Sequence, residues 1–387
     1  MAEPARDVGD LLLHGGRLLP PAGPPAEGWV LIRGGRIEAV GAGDPPVHDV
    51  PRLDLAGALA APGFIDLHVH GGDGVDFGSA GGEEIGRAVA FHARHGTTGL
   101  LATTLSAAPD ALLAAVREIA AARAPGLLGA HLEGPFLSPE RPGAQDPAHI
   151  RDPDRDELER LLEAGAGTVR MVTLAPERPR ALAAIARLGR AGVVAAVGHS
   201  DASWDEARAA FAAGAAHAVH LFNGMRPLHH REPGVVGAAL ADPAVTCELI
   251  CDGHHLHPGT IALAHALKGA DGAVLVTDAI AAAGLPDGKY GLGTLDVVVA
   301  GGRAGLAQGG ALAGSTLTMD RAVRTAVAAG VPIPDALRMA SATPARVLGL
   351  EQTKGALAPG HDADVVVLDD ALAVRATIVG GCLVHGA

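Results

Sequence analysis

The spacing of hydrophobic positions changes twice along the chain and divides it into three parts. Up to about residue 57, short apolar runs alternate with turns, and the Gly34-Gly35 pair between two such runs is typical of a hairpin. From residue 59 to about 350, apolar runs of about five to nine residues alternate with Ala-rich amphipathic segments, which predicts parallel strands joined by helices. From residue 355 the pattern of strands and turns returns.

Eight apolar runs in the middle part are strand candidates. Eight strands joined by helices close naturally into a barrel. We therefore predict an α/β fold, in which residues 59–350 form a TIM-type (β/α)8 barrel and residues 1–58 and 351–387 form the two parts of a small β-sandwich domain. The candidates span residues 63–70, 97–105, 126–133, 168–174, 193–199, 216–221, 246–252 and 273–278.

Charge and composition exclude several classes of partner. The chain has 30 basic and 43 acidic residues, so its net charge of −13 would repel nucleic acid. Two tryptophans, one tyrosine and six phenylalanines are too few for an aromatic platform, which favours small polar ligands. We find no apolar run long enough to span a membrane and no secretory leader, and we therefore expect a cytoplasmic protein without a membrane partner.

The small number of cysteines is also consistent with a cytoplasmic location. Three of them, Cys247, Cys251 and Cys382, are too few for a disulfide framework and suit a reducing compartment. Cys247 and Cys251 could form half of a metal site, but no second Cys or His pair lies at the matching spacing. We expect them to be buried thiols.

Polar side chains end five of the predicted barrel strands. In a TIM barrel the active site forms at the C-terminal ends of the strands, so these side chains should meet at one mouth. Strands one, three, five, six and eight end in His68 and His70, Glu133, His199, His220, and Asp278.

This set of side chains indicates a metal centre. His68 and His70 lie two residues apart on a strand and share a face, although such a pair alone is often structural. His199 and His220 lie about one βα unit apart, so adjacent strands present one imidazole each. Imidazoles and carboxylates are the ligands of hydrolytic zinc or iron, which predicts metal-assisted hydrolysis. Asp278 is the candidate general base and acid, the alternative being a structural cap at a strand end.

The same segments resemble the motifs of a known superfamily. Residues 62–70, PGFIDLHVH, resemble the opening motif of the amidohydrolase superfamily. Four further segments are similar to motifs of its N-acetylglucosamine-6-phosphate deacetylase family, and residues 312–315 and 360–364 also fit, so the resemblance covers essentially the whole chain. The four segments are 131–136 (HLEGPF), 197–202 (VGHSDA), 220–225 (HLFNGM) and 276–279 (VTDA).

The resemblance implies a ligand set and a cofactor. Glu133 takes the place that a carboxylated lysine has in other branches, and His199 and His220 complete the primary ion site. His68 and His70 place the chain with members that can hold two ions. The implied cofactor is a divalent metal ion, zinc or iron, with one or two bound to each subunit.

The resemblance also implies a substrate. Deacetylation of N-acetylglucosamine 6-phosphate would give glucosamine 6-phosphate and acetate, with Asn223, Gly224 and His255 contacting the sugar and the phosphate. Arg231 matches an arginine that family members offer to the phosphate across a dimer interface, which implies a homodimer. A guanidinium suits that role because its planar fork can meet two phosphate oxygens. Without the resemblance, Arg231 reads as a surface charge.

The sequence departs from the family pattern at one position, and two alternative functions are also considered. Gln145 occupies a position near the substrate where some members carry a histidine, and an amide can donate a hydrogen bond but cannot become cationic. An aminoacylase or cyclic amidase of the same superfamily commonly uses a lysine at the end of strand four, but residues 169–174 contain none. A catalytically silent scaffold should have lost ligands, whereas all six ligand positions are filled. Four other histidines are expected to be structural or solvated: His92, His95, His229 and His230.

Overall fold

The first part of the chain supplies five of the eight strands of a terminal sheet. The structure, a computed structural model, describes residues 9–21, 23–45 and 49–386. The predicted hairpin turn is present, and Gly34 and Gly35 have φ of 53° and 76°, a left-handed pair that glycine adopts without strain. The strands are β1 (Leu11–Leu18), β2 (Ala26–Arg33), β3 (Arg36–Ala42), β4 (Arg52–Asp54) and β5 (Leu59–Pro62).

The middle part forms a parallel barrel of eight strands with helices between them, which confirms the predicted fold class. Its strands are nearly continuous apolar runs because both of their faces are covered. Two short strands, β7 (Gly71–Gly72) and β8 (Val75–Asp76), follow the first barrel strand, β6 (Phe64–Val69). The rest of the barrel is α1 (Gly82–Ala93), β9 (Thr97–Thr104), α2 (Pro109–Ala121), β10 (Leu127–Glu133), α3 (Arg155–Ala164), β11 (Val169–Leu174), α4 (Ala181–Arg190), β12 (Val194–Val197), α5 (Trp204–Ala212), β13 (His217–Ala218), α6 (Gly234–Ala241), β14 (Thr246–Ile250), α7 (Pro258–Gly272) and β15 (Ala273–Val276).

A buried carboxylate closes the seam between the first and last barrel strands. Asp66 on β6 accepts hydrogen bonds from the backbone N–H and the hydroxyl of Thr277, which follows β15, at 3.2 and 2.6 Å. One step further, the backbone N–H of Asp278 donates to the carbonyl of His68 at 2.8 Å. The seam therefore brings Asp278 beside the HxH pair.

The chain after β15 adds a separate small sheet before it returns to the barrel and the termini. Three antiparallel strands pack around their own apolar cluster, which includes Ile280, Leu292 and Val297. The remaining elements are β16 (Gly288–Leu292), β17 (Leu295–Ala300), β18 (Arg303–Leu306), α8 (Met319–Ala328), α9 (Ile333–Met339), α10 (Ala342–Val347), β19 (Val365–Leu368), β20 (Val374–Val379) and β21 (Cys382–His385).

Both ends of the chain share one sheet, as predicted. Strand β5 pairs in parallel with β1 and antiparallel with β19, so that the last three strands extend the sheet begun by the first five. Leu13, Ile32, Val365 and Ile378 pack in one apolar cluster that both ends supply. The proposed boundaries at residues 58 and 350 remain predictions. Within the described ranges, no helix is both long and apolar enough to cross a bilayer.

Candidate active site

The carboxyl ends of the barrel strands surround a cavity of about 260 Å³. Five of the six predicted metal ligands line it, and the sixth, His68, is fully buried beneath. Strands β6, β10, β12, β13 and β15 deliver these side chains, each at or just after its last residue, as parallel strands of a barrel require. The lining ligands are His70, Glu133, His199, His220 and Asp278.

The hydrogen-bond partners of three imidazoles orient their rings in the same way. Nδ1 of His199 lies 2.9 Å from the carbonyl of Arg141, and Nδ1 of His220 lies 3.1 Å from the carbonyl of Asn223. Nδ1 of His68 lies 2.9 Å from the carboxylate of Glu248. Because carbonyls and carboxylates only accept hydrogen bonds, each Nδ1 must carry the proton. In the neutral rings the lone pair is therefore on Nε2.

All three Nε2 atoms face one carboxylate oxygen. Oε1 of Glu133 is 2.8 Å from Nε2 of His220, 3.0 Å from that of His199 and 3.3 Å from that of His68. The Nε2 atoms of His199 and His220 are 3.1 Å apart. Neutral imidazoles in this arrangement place several electron pairs around one point, which a cation there would stabilise.

A second cluster adjoins the first. Nε2 of His70 lies 3.3 Å from Oε2 of Glu133 and 3.2 Å from Oδ1 of Asp278. Two sets of side chains have ligand atoms within 4.8 Å of one another: His68 with Glu133 and His220, and His68 with His70 and Asp278.

These distances suit divalent ions. Ligand atoms about 2.1 Å from a tetrahedral ion lie about 3.4 Å apart, close to the separations above. Nε2 of His68 is buried without a hydrogen-bond partner, as expected of an atom that binds a metal ion. The residues present therefore fit a site for one or two ions.

The charges of the cluster also favour a bound cation. Burial alone would lower the pKa of His70, but its hydrogen bonds to Asp278 and Glu133 raise that pKa to about 9. Burial opposes ionisation of Glu133, yet His68 and His199 hold its pKa well below the usual range. Asp278 also has a lowered pKa, because His68 and His70 outweigh its burial. The carboxylates are thus ionised and attract positive charge, which a metal ion or protons can supply.

The backbone is strained where three of these residues leave their strands. His199, His220 and Asp278 have φ of 44°, 29° and 51°, in the left-handed region that non-glycine residues avoid. Such conformations cost about 1–3 kcal/mol each and are concentrated at functional sites. The sequence predicts a strand over 216–221, but the strand ends at Ala218 because the chain turns sharply through His220.

Four of the five residues expected to bind substrate line the cavity, and Arg231 does not. Asn223, Gly224, His255 and Gln145 all contribute to its wall. Arg231 is exposed on the loop before α6, where its guanidinium lies 2.8 Å from Nε2 of His230.

Gln145 also contacts a metal-ligand candidate. Its amide nitrogen donates to Oε2 of Glu133 at 2.6 Å, and its carbonyl oxygen accepts from the backbone N–H of Ser106 at 2.7 Å. Sequence reasoning connects Gln145 with the substrate alone and does not find this contact.

Glu248 is the main site residue that sequence reasoning missed. It is fully buried at the centre of β14, where it accepts hydrogen bonds from His68, His217 and the backbone of His220. A charged residue in the middle of the apolar run 246–250 was the available signal, because a buried carboxylate requires partners.

The histidines and cysteines that were not expected to take part in the reaction do not line the cavity. His92 is buried and its Nε2 lies 2.9 Å from the carbonyl of Gly71, and His95 lies 3.4 Å from Asp320. His229 and His230 are exposed. The three cysteines are free thiols, and burial raises the pKa of Cys247 to about 12.

Known proteins resemble this chain along most of its length. Residues 59–384 match the Amidohydrolase family. An N-acetylgalactosamine-6-phosphate deacetylase of Escherichia coli O157:H7 is 44% identical over 331 residues, which are 84% of this chain and 87% of that protein. A human N-acetylglucosamine-6-phosphate deacetylase is 42% identical over 392 residues, covering 96% of this chain and 93% of the relative.

The fold agrees with these similarities. The structure of a mutant N-acetylglucosamine-6-phosphate deacetylase from Mycobacterium smegmatis, in complex with N-acetyl-D-glucosamine 6-phosphate, superposes with a TM-score of 0.92. The two proteins are 46% identical, and the match covers 97% of this chain and 99% of the other. The chain therefore belongs to the amidohydrolase family.

Proposed function

We propose that the protein is a metal-dependent deacetylase that hydrolyses the acetamide of N-acetylglucosamine 6-phosphate to glucosamine 6-phosphate and acetate. The observation that carries this proposal is the convergence of three imidazole Nε2 atoms on Glu133, beside a cavity that Asp278 also lines. The activities of the relatives described above supply the substrate class.

Six side chains would hold the metal. Glu133, His199 and His220 form the primary position, while His68, His70 and Asp278 form the second. Zinc or iron suits this mixture of imidazole and carboxylate ligands, with one or two ions in each subunit. When bound, such an ion acidifies water and polarises the amide carbonyl.

Asp278 would carry the proton. Its carboxylate is ionised, so it can accept a proton from the attacking water as the C–O bond forms at the acetyl carbon. The same carboxyl group then returns the proton to the sugar nitrogen as the C–N bond breaks. The products are the free amine and acetic acid, which releases its remaining proton to the solvent as acetate, and Asp278 is again a carboxylate.

Polar residues of the cavity wall would bind the sugar phosphate. Asn223, Gly224 and Gln145 line it beside the metal ligands. His255 is held in place by Asp252, whose carboxylate lies 2.7 Å from its Nδ1. Asp252 has a lowered pKa because its contacts with His255 outweigh its burial, so it stays ionised and orients the ring.

Arg231 would reach the phosphate of a neighbouring subunit. It lies outside the cavity of its own chain and is exposed, and its guanidinium suits a phosphate ligand. This role makes the protein a homodimer. The free thiols of all three cysteines support a cytoplasmic location.

Acetate release tests the proposal. We would assay protein loaded with Zn²⁺ or Fe²⁺ against N-acetylglucosamine 6-phosphate, its galactosamine isomer and unphosphorylated N-acetylglucosamine, each with and without chelator. Chelator-sensitive release from the phosphorylated glucosamine derivative supports the proposal. Preference for the galactosamine isomer would change the assigned substrate to N-acetylgalactosamine 6-phosphate. Release from neither phosphorylated sugar would contradict it and favour another amide substrate within the family.

A further inference from the structure

Glu248 contacts residues of both candidate ion positions from outside the cavity. Its side chain is completely buried, and both carboxylate oxygens are used. Oε1 lies 2.9 Å from Nε2 of His217, and Oε2 lies 2.9 Å from Nδ1 of His68. Oε2 also accepts a hydrogen bond from the backbone N–H of His220 at 3.0 Å. One carboxylate thus contacts a candidate ligand of each ion position, His68 and His220.

The contact with His68 decides which ring nitrogen is free. Because a carboxylate oxygen of Glu248 accepts the hydrogen bond of His68 Nδ1, the ring proton lies on Nδ1, which leaves Nε2 to face Glu133 and Asp278. A carboxylate in this relation to an imidazole fixes the ring and makes it a stronger ligand.

The contact with His220 acts on the backbone. His220 has φ of 29°, and the N–H groups of His220 and Leu221 both donate to Glu248, to its side chain and its carbonyl respectively. These two bonds hold the strained turn that presents the imidazole of His220 to Glu133.

His217 completes the arrangement without contacting the cavity. Its Nδ1 lies 2.6 Å from the hydroxyl of Thr246, so the ring is held at both nitrogens. Neither His217 nor Glu248 lines the cavity, so neither contacts substrate there. Their hydrogen bonds act on the ligands and not on the reacting atoms.

We propose that Glu248 is a positioning residue that sets the affinity of the ion position formed by His68, His70 and Asp278. The inference rests on the metal dependence proposed above. Glu248 contacts the imidazole of His68 directly, whereas it reaches the primary position only through the backbone of His220. Loss of its carboxylate should therefore weaken the second ion more than the first.

Metal titration of the full-length protein tests this inference without an activity assay. Metal-free wild type, Glu248→Gln and Glu248→Asp would be titrated with Co²⁺ by calorimetry, and the visible Co²⁺ spectrum would report ligand geometry. Glu248→Gln keeps the shape and removes the charge, while Glu248→Asp keeps the charge and shortens the reach. Asp364→Asn is the control, because Asp364 is a buried carboxylate just before β19, where it binds Lys354 far from the candidate metal site.

We expect wild type and Asp364→Asn to bind two ions. Both Glu248 variants should bind the second ion about 10- to 100-fold more weakly, with the first changed by less than about threefold and with an altered spectrum. Folded Glu248 variants that bind both ions as wild type does would overturn the inference. If Glu248→Gln does not fold, wild-type affinities in Glu248→Asp would do the same.

The outcome for wild type separates the two proposals. A wild-type protein that binds no Co²⁺ contradicts the proposed function itself. If wild type binds one ion, and Glu248→Gln binds it equally well, the inference about Glu248 is wrong while the proposed function stands.

Discussion

The amide nitrogen of Gln145 lies 2.6 Å from Oε2 of Glu133, and the amide oxygen of the same side chain accepts the N–H of Ser106. A neutral amide can donate and accept at once, which a carboxylate cannot do. Gln145 therefore fixes the orientation of a carboxylate that faces four imidazoles, from a position on the cavity wall.

Replacement of Gln145 by methionine should lower activity through the metal. Methionine has similar length but no hydrogen-bonding amide, so Glu133 loses a partner and the buried N–H of Ser106 is left unsatisfied. We expect a loss of about 10- to 100-fold in acetate release at limiting metal, partly restored by excess metal. The exposed Gln352→Met is the matched control. Equal activity of the two variants at limiting metal would show that the contact with Glu133 is unimportant.

Asp278→Asn should abolish most of the catalysis. An amide cannot accept and return the proton, so kcat should fall by about 10²- to 10⁴-fold while KM changes little. Asp110→Asn, at the exposed first turn of α2, should behave as wild type. Steady-state kinetics of acetate release provides the measurement, and an active Asp278→Asn enzyme would refute the assigned proton transfer.

Gly224→Ala should disturb His199. A Cβ atom at Gly224 would lie 2.8 Å from Nδ1 of His199, and φ there is 58°. We expect activity to fall about tenfold or more, since the ring must move from its metal-binding position. Gly167→Ala is the control, because its φ of 84° is also in the left-handed region and no atom lies within 4 Å of its Cβ.

The comparison of the two glycine variants separates strain from displacement. Both should lose about 1–2 kcal/mol in the free energy of unfolding, measured with urea. Only Gly224→Ala should lose metal affinity and activity. A similar loss of activity in Gly167→Ala would point to general destabilisation instead.

His92 should make the folded protein sensitive to acid. Burial lowers its pKa from 6.5 to about 4, with the hydrogen bond to Gly71 opposing only in part. The unfolded chain therefore takes up a proton at this position first, and its contribution to stability is complete above pH 6.5 and is lost as pH falls towards 4.

The His92→Gln variant tests this effect because glutamine keeps a donor for Gly71 but does not titrate. Between pH 6.5 and pH 5 the free energy of unfolding should fall by about 2 kcal/mol less in the variant than in wild type, both metal-free. Urea unfolding at a series of pH values provides the measurement. Parallel pH profiles would show that His92 does not cause the sensitivity.

The barrel and the convergence of the candidate ligands at its mouth were predictable because strand order fixes where side chains meet. His199 and Asp278 each follow an apolar run, and parallel strands place such residues at one mouth regardless of loop structure. The three-stranded sheet of β16 to β18 was not predicted, although the alternation of buried Val297 and Val299 with exposed neighbours, followed by Gly301-Gly302, is a hairpin signal.

The contacts behind the ligands could not be derived from the sequence. Gln145 lies 12 positions after Glu133 in the sequence, and Glu248 lies 180 positions after His68. Local patterns carry no information about such distances, because the loop path and the barrel register together decide which side chains meet. The sharp turn at His220 could not be predicted for a similar reason, because its left-handed backbone is held by hydrogen bonds to the distant Glu248.

The pairing of β5 with β19 has a consequence for synthesis on the ribosome. Residues Leu59–Pro62 pair with Val365–Leu368, roughly 300 positions later. At about 5–20 residues per second, the edge of β5 waits about 15–60 s for its partner strand. An open edge of this kind invites pairing with other chains, so the nascent protein needs protection during this interval until its last strands emerge.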